Sequence, residues 1–530
     1  MIKKRAKGLR IIFVFVFFVL VIRLYFLQIR PSEKVTANYT NHQTEIISDM
    51  NYMLFDKNLK DLNNYNKDYV VVIDSKPFKL NNYGEALQGL LAFNFIMKEE
   101  VSDFSFDQIM KVPYGKNYYN VSRETFDKVN NIKNVKGVYT YIYDRKDNKE
   151  AWSIDGMFSN LDKIEAKENS FDYLLKKEIE NNKLPKVNFY RDENTVYSSN
   201  SLVNVEENKN IQLTIDKEMQ NKVKSTILDK KYEEFNNIGV LIMESKTGKI
   251  RTITQKDDSS PNINLGMEGI GFEPGSVFKL ITYAAALEEG IITPDTTYKC
   301  RTQKCKGINH GKISVRTALN ESCNDVFADI GEQLGMEKLL KYAKELGMYE
   351  RILGIESENK TEAKGGYRKE DAGVDNIAIG QSMTSTPIQM VGAINTFLNN
   401  GVYIKPNIIE GILDSDENKV KEFKEKGSII FSSLTSGMVK DGMKDVVLYG
   451  TGKKAAVEGK DIYGKTGSGT FLENTHCWIV GGFNIDGVDY TMSILVPDVE
   501  EDGKNKISGG TIAAPIFGDV VKGLIGEVSN

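Results

Sequence analysis

Glu273-Pro274-Gly275-Ser276-Val277-Phe278-Lys279 constrains this chain more than any other stretch, because it sets a serine and a lysine three residues apart at the mouth of an apolar run. Pro274 and Gly275 punctuate the approach. Val277, Leu280, Ile281, Tyr283, Ala284, Ala285 and Leu287 then lead to Gly290, which predicts a buried helix with Ser276 on its first turn. Residues three apart on a helix are neighbours, so the two side chains can meet. A neutral lysine amine could take the proton of the serine hydroxyl as it attacks a carbonyl, with the positive end of the helix beside the developing oxyanion. An isolated Ser-x-x-Lys is more often a solvated helix face, so the rest of the chain has to supply context.

Two further polar clusters follow in order. Ser322 and Asn324 stand two apart ahead of an apolar helical run from Val326 to Leu334, where the pair alone reads as a helix cap. Lys465-Thr466-Gly467-Ser468 follows a strand-like approach, Asp461 to Gly464, and continues through Gly469 to Thr470. An earlier Lys246-Thr247-Gly248 is a decoy: it joins two predicted strands, Ile238 to Met243 and Ile250 to Thr254, with glycine at the turn. Helical runs are predicted from Lys217 towards Lys230, from Ile388 to Leu398 behind Pro387, and from Pro515 to Ile525. A strand pair, Thr475 to Phe483 and Tyr490 to Val496, turns at Asp486-Gly487.

Upstream, Lys3, Lys4, Arg5, Lys7 and Arg10 precede an apolar run from Ile11 to Ile22 that resumes after Arg23. Residues 9–29 are long enough for a bilayer-spanning helix, and the basic cluster predicts a cytoplasmic tail at 1–8 with everything after Arg30 outside. A cleaved signal peptide is the rival reading, but no small-residue cleavage site follows Ile29. Residues 31–208 are polar and carry no recognisable chemistry; strands such as Tyr69 to Ile73 and Val138 to Tyr143 alternate with helical stretches such as Tyr173 to Glu180, which predicts an irregular α+β module. The net charge of −4 gives no global signal for nucleic acid.

Ser276-x-x-Lys279, Ser322-x-Asn324 and Lys465-Thr466-Gly467-Ser468, in that order, resemble the active-site set of penicillin-binding proteins and serine β-lactamases. The resemblance spans most of 209–530: Leu213-Thr214-Ile215-Asp216 with Gln220, Gly380-Gln381 with Thr386-Pro387 and Gln389, and Trp478 with Gly482-Phe483 look like class B penicillin-binding proteins, as does the amino-terminal run into Arg23-Leu24 and Leu27-Gln28. It implies an α+β multidomain chain: a transmembrane anchor at 9–29, a pedestal or dimerisation-like domain at 31–208, and a transpeptidase domain at 209–530 built on a five-stranded antiparallel sheet flanked by helices. The implied activity is D,D-transpeptidation of peptidoglycan stem peptides through an acyl-enzyme on Ser276, inhibited by β-lactams. In that scheme Lys279 is the base, Ser322 relays a proton, Asn324 holds Lys279 and the substrate, Lys465, Thr466, Gly467 and Ser468 line the carboxylate site, and the N–H groups of Ser276 and Thr470 form the oxyanion hole. The pedestal would touch a SEDS-type glycosyltransferase, with the catalytic domain held outside the cell membrane. Thr44 to Met50 lacks both arginines and the glycine usual in the family's pedestal motif. A β-lactam-hydrolysing relative, a β-lactam sensor and a non-catalytic scaffold of the wall-synthesis complex are the competing classes.

The chemistry needs no cofactor. Cys300, Cys305 and Cys323 cluster around His310, and Cys477 is remote. Three thiolates and an imidazole suit a tetrahedral structural zinc, a disulfide between Cys300 and Cys305 is a second reading, and free buried thiols are a third. Relatives that carry zinc near the Ser-x-Asn loop favour the metal, which would fix Ser322 and Asn324. His476 and Cys477 read as packing residues of a strand beside the site.

Overall fold

An antiparallel sheet organises the carboxy-terminal part of the chain in this computed structural model. The model describes residues 13–25 and 42–526, apart from 83, 112–113, 148, 192–196, 204, 268, 306, 359, 472–473 and 501–506. The sheet is built from β1 (Gly239–Glu244), β2 (Ile250–Gln255), β3 (Tyr463–Phe471), β4 (Asn474–Ile485) and β5 (Val488–Val499), in the spatial order β2-β1-β5-β4-β3. Successive side chains of β1 leave on opposite faces, so Leu241 and Met243 enter one apolar layer while Val240 and Ile242 enter the other. The first layer is closed by α2 (Lys279–Glu288), α3 (Asn324–Leu334), α4 (Pro387–Leu398) and α5 (Ser433–Leu448); the second by α1 (Lys217–Ile227) and α6 (Ala513–Ile525). Pro387 opens α4 behind a capping box in which Thr386 and Gln389 satisfy each other's backbone N–H groups. Lys246-Thr247-Gly248 lies in the β1–β2 turn with Gly248 at φ +72°, and Asp486 and Gly487 (φ +50° and +82°) make the tight β4–β5 turn. The strand β3 is left at the sheet edge, where its outward-facing backbone groups are available to the site.

The described residues form two compact units that interleave along the chain. One draws on residues up to Asp49, Tyr65–Arg145 and Leu184–Val205; the other on Met50–Asn64, Lys146–Lys183 and everything from Glu206. Two stretches of the polar amino-terminal region thus belong to the second unit, the predicted helix near Tyr173 among them (Phe171–Ile179). The first unit holds Tyr65–Asp74 between Lys116–Val121 and Val138–Lys146, with Phe78, Phe93, Met97, Phe104 and Phe126 packed in its core.

The expected membrane anchor is overturned. Residues 13–25 are helical. Among the described residues no helix is long and apolar enough to cross a membrane, and Arg23 interrupts the apolar run within this one. The single-pass topology and the localisation derived from it fall with the anchor; residues 1–12 and 26–30 of that expectation lie outside the described residues.

Candidate active site

Ser276 sits in a single 3-10 turn, Gly275–Val277, which runs directly into α2. The expected helix start is therefore tighter than an α-turn, and Gly275 explains it: at φ +53° it adopts the left-handed backbone that glycine alone takes freely. A Cβ there would run into the Ser468 carbonyl, and one at Gly467 would run into the Pro274 carbonyl and lie 2.8 Å from Val277 Cγ2. Bare backbone on both sides lets β3 lie against the serine turn. Ser276 is half-buried at that seam, while Lys279 and Lys465 are wholly buried.

Three sequence-distant motifs converge here. Lys279 Nζ donates to the Ser322 carbonyl (2.6 Å) and to Asn324 Oδ1 (2.6 Å), and lies 3.2 Å from Ser322 Oγ. Lys465 Nζ reaches the same Ser322 hydroxyl at 3.1 Å and the Thr466 carbonyl at 2.8 Å. Ser322 is held at φ +56°, uncommon for a residue with a side chain, which turns its hydroxyl between the two amines. Asn324 opens α3, but the cap position is Cys323 and the Asn324 amide is spent elsewhere: Oδ1 on Lys279, Nδ2 on the Lys304 carbonyl at 3.1 Å. The helix-cap reading of this pair is thereby set aside.

Two buried ammonium groups sharing one hydroxyl cannot both keep their charge cheaply. Burial pushes the Lys279 amine down to about 7, with the nearby Cys323 and Cys305 opposing the change. Lys465 is driven well below its ordinary value, first by burial and then by the charge of Lys279. Both amines are thus held below their ordinary values, so the folded site favours release of a proton from the pair.

On the outer face of β3, Thr466 Oγ1 meets Thr451 Oγ1 at 2.7 Å, and Ser468 Oγ accepts from the Gly509 N–H at 3.0 Å. Thr470 does not keep the oxyanion role expected for it, since its N–H donates to Glu273 at 3.3 Å. Backbone N–H groups of a strand alternate in direction, so the N–H of Ser468 points the same way as that of Thr470, and it is the Ser468 backbone that lies against Gly275. Glu273, buried beside the Ser276 turn, and Lys304, which pairs with Asp375 at 2.5 Å and accepts Asn324 on its carbonyl, are site residues that motif spacing does not single out. Only the position of Glu273 at the head of the Ser276 motif was a signal for it.

The ligand atoms of Cys300, Cys305, His310 and Cys323 all lie within 4.8 Å of one another. All four cysteines are free, so the Cys300–Cys305 disulfide is not formed. Cys305 Sγ and Cys323 Sγ are 3.6 Å apart, and Cys300 Sγ is 3.5 Å from His310 Nδ1. Ligands 2.0 to 2.3 Å from a tetrahedral zinc stand about 3.5 to 3.8 Å apart, so the donor set and its spacing fit the metal. Asp325 flanks it, with Oδ2 3.2 Å from Cys300 Sγ and Oδ1 accepting from the Lys304 N–H at 2.7 Å. His476 packs edge-on to Phe272, with ring centroids 5.2 Å apart, and Cys477 is buried.

Residues 238–522, more than half of the chain, match the family model described as the penicillin-binding protein transpeptidase domain. The chain belongs to that family. It is 30% identical over 351 residues to stage V sporulation protein D of Bacillus subtilis (60% of this chain, 54% of that protein), and 27% identical over 359 residues to penicillin-binding protein PbpB of Mycolicibacterium smegmatis (59% and 54%). The chain thus spans about half the length of the relatives it matches. Among solved structures, a peptidoglycan synthetase from Bifidobacterium adolescentis superposes over 92% of this chain and 97% of its own with a TM-score of 0.61 at 14% identity. Penicillin-binding protein 3 from Mycobacterium tuberculosis, solved with aztreonam, covers 60% of this chain and 79% of its own at 0.51 and 22%. At such identities the likeness establishes the α+β transpeptidase fold.

Proposed function

We propose that this chain is a serine D,D-transpeptidase that cross-links peptidoglycan stem peptides and is acylated by β-lactams. The observation that carries the reading is the shared hydroxyl of Ser322, held by Lys279 at 3.2 Å and Lys465 at 3.1 Å beside the Ser276 turn. Lys279, its amine neutral, takes the proton as Ser276 Oγ attacks the carbonyl of the penultimate D-Ala. The oxyanion is received by the N–H groups of Ser276 and Ser468. The C–N bond then breaks, a proton passes by way of Ser322 to the departing D-Ala amine, and the acyl group stays on Ser276. An amine of a neighbouring stem peptide attacks that ester, gives up its proton along the same route and releases the serine. Thr466 and Ser468 hydroxyls, with Lys465 behind them, suit the terminal carboxylate of the donor peptide, and Asn324 keeps Lys279 in place.

Zinc held by Cys300, Cys305, His310 and Cys323 would cross-link the loop ahead of Ser322 and take no part in bond making. A SEDS-type glycosyltransferase is the expected partner of the first unit. In support, Leu87, Leu91 and Phe95, one helical turn apart on Leu87–Glu100, stand 59%, 64% and 66% exposed as an apolar stripe.

Labelling with a fluorescent penicillin tests the assignment. The transpeptidase gives a stable adduct that Ser276→Ala abolishes; rapid turnover of the adduct would point to β-lactam hydrolysis, and no labelling of the wild type to a scaffold.

A further inference from the structure

Three residues ahead of Ser276, the Glu273 carboxylate is buried between two backbone N–H groups that come from far along the chain. One oxygen accepts from Ser382 at 2.8 Å and the other from Thr470 at 3.3 Å. The main chain around it is engaged as closely: Phe272 and Ser385 exchange two N–H···O bonds of 2.8 Å, the Gly275 N–H donates to Gly380 at 3.0 Å, and a Cβ at Gly469 would overlap the Glu273 carbonyl. The segment 380–385 and the β3 edge thus meet on one side chain. Ser382 is itself held at φ +61°, the unfavourable backbone that brings its N–H onto the carboxylate. Burial pushes the Glu273 pKa up, against the bonds from Ser382 and Thr470 and the charge of Lys369.

We propose that Glu273 is a positioning residue for acyl transfer: its carboxylate clamps the Ser276 turn to the edge of β3 and so sets the spacing of the two N–H groups that receive the oxyanion. The inference rests on the functional reading above. Both partners of Glu273 are donors, so both of its side-chain oxygens must accept. A glutamine of the same size offers one oxygen and one NH2, and turns the second contact into a meeting of two donors. The β3 edge is then released on the side that carries Ser468, two residues from Thr470. A shift of this kind is felt in the transition state, where the N–H groups must lie on the oxyanion, more than in the initial encounter with substrate.

The test is penicillin acylation followed by stopped flow, separating the binding constant Kd from the acylation rate k2. Glu273→Gln is expected to lower k2 by about 10- to 100-fold while Kd changes by less than about threefold. Glu273→Asp, which keeps two acceptors on a shorter arm, is expected to lose less and carries the same test if the glutamine protein does not fold. An unchanged k2 overturns the clamp, and so does a k2 that falls only in step with Kd and thermal stability. If the wild-type protein is not acylated at all, the functional reading fails; normal wild-type acylation with an unaltered variant sinks only the role of Glu273.

Discussion

Replacing Lys279 with methionine should flatten the rise of stability with pH above neutrality. Its amine falls from an ordinary 10.5 to about 7 in the folded protein because it is wholly buried. Between those two values the unfolded chain binds a proton that the native one does not, so unfolding free energy rises with pH across that window and the penalty is full below it. At about 1.4 kcal/mol per pH unit the whole difference is about 5 kcal/mol, and no discount for solvent applies to a group without exposure. Methionine fills similar volume but leaves the Ser322 carbonyl and Asn324 Oδ1 without their donor, at a cost of about 1–3 kcal/mol each. That loss does not depend on pH, so it displaces the mutant's stability curve without tilting it. Lys465 remains in both proteins, though it loses its charged neighbour in the mutant. Urea unfolding at pH 7, 8 and 9 should therefore show the wild type gaining about 2–3 kcal/mol on Lys279→Met, which does not label with penicillin. Parallel stability curves across that range would mean the amine keeps its proton in the fold, and the neutral-base argument would be wrong.

Other outcomes follow from the same geometry. Gly467→Ala should cost about 1–3 kcal/mol and slow acylation about 100-fold, because its Cβ must push β3 off the Pro274 carbonyl; near-normal acylation at an unchanged melting temperature would count against the seam. Ser322→Gly and Ser322→Ala both lose the hydroxyl held by Lys279 and Lys465 and should abolish cross-linking, but the glycine protein, free of the φ +56° strain, should be about 1 kcal/mol more stable than the alanine one in thermal unfolding; equal stabilities would contradict the strain. Chelation should remove one zinc per chain and lower acylation about tenfold, restored by added zinc; metal analysis that finds none in protein purified without chelator would refute the site.

The polar cluster of the candidate site was legible in the sequence because its members are chemically distinctive and stand at fixed offsets. Lys279, Ser322 and Lys465 come from three separated stretches and meet at the Ser322 hydroxyl, with Asn324 on the Lys279 amine and Ser276 in the turn that leads into the Lys279 helix. Spacing failed where geometry depends on the direction of backbone groups. Thr470 and Ser468 are two apart on one strand, so their N–H groups point alike and the sequence offers no choice between them. What separates them is a contact across the seam: the Ser468 backbone fills the space a side chain at Gly275 would need, whereas the Thr470 N–H is already given to Glu273. Glu273 itself was hidden for a related reason, since its partners lie 109 and 197 residues away and are main-chain groups that leave no trace in residue identity. The amino-terminal anchor failed differently. Hydrophobicity counted residues 9–29 as one span, whereas among the described residues no helix is long and apolar enough to cross a membrane. A site made of side chains can be found by pattern, then, but one completed by backbone donors waits on the pairing of strands.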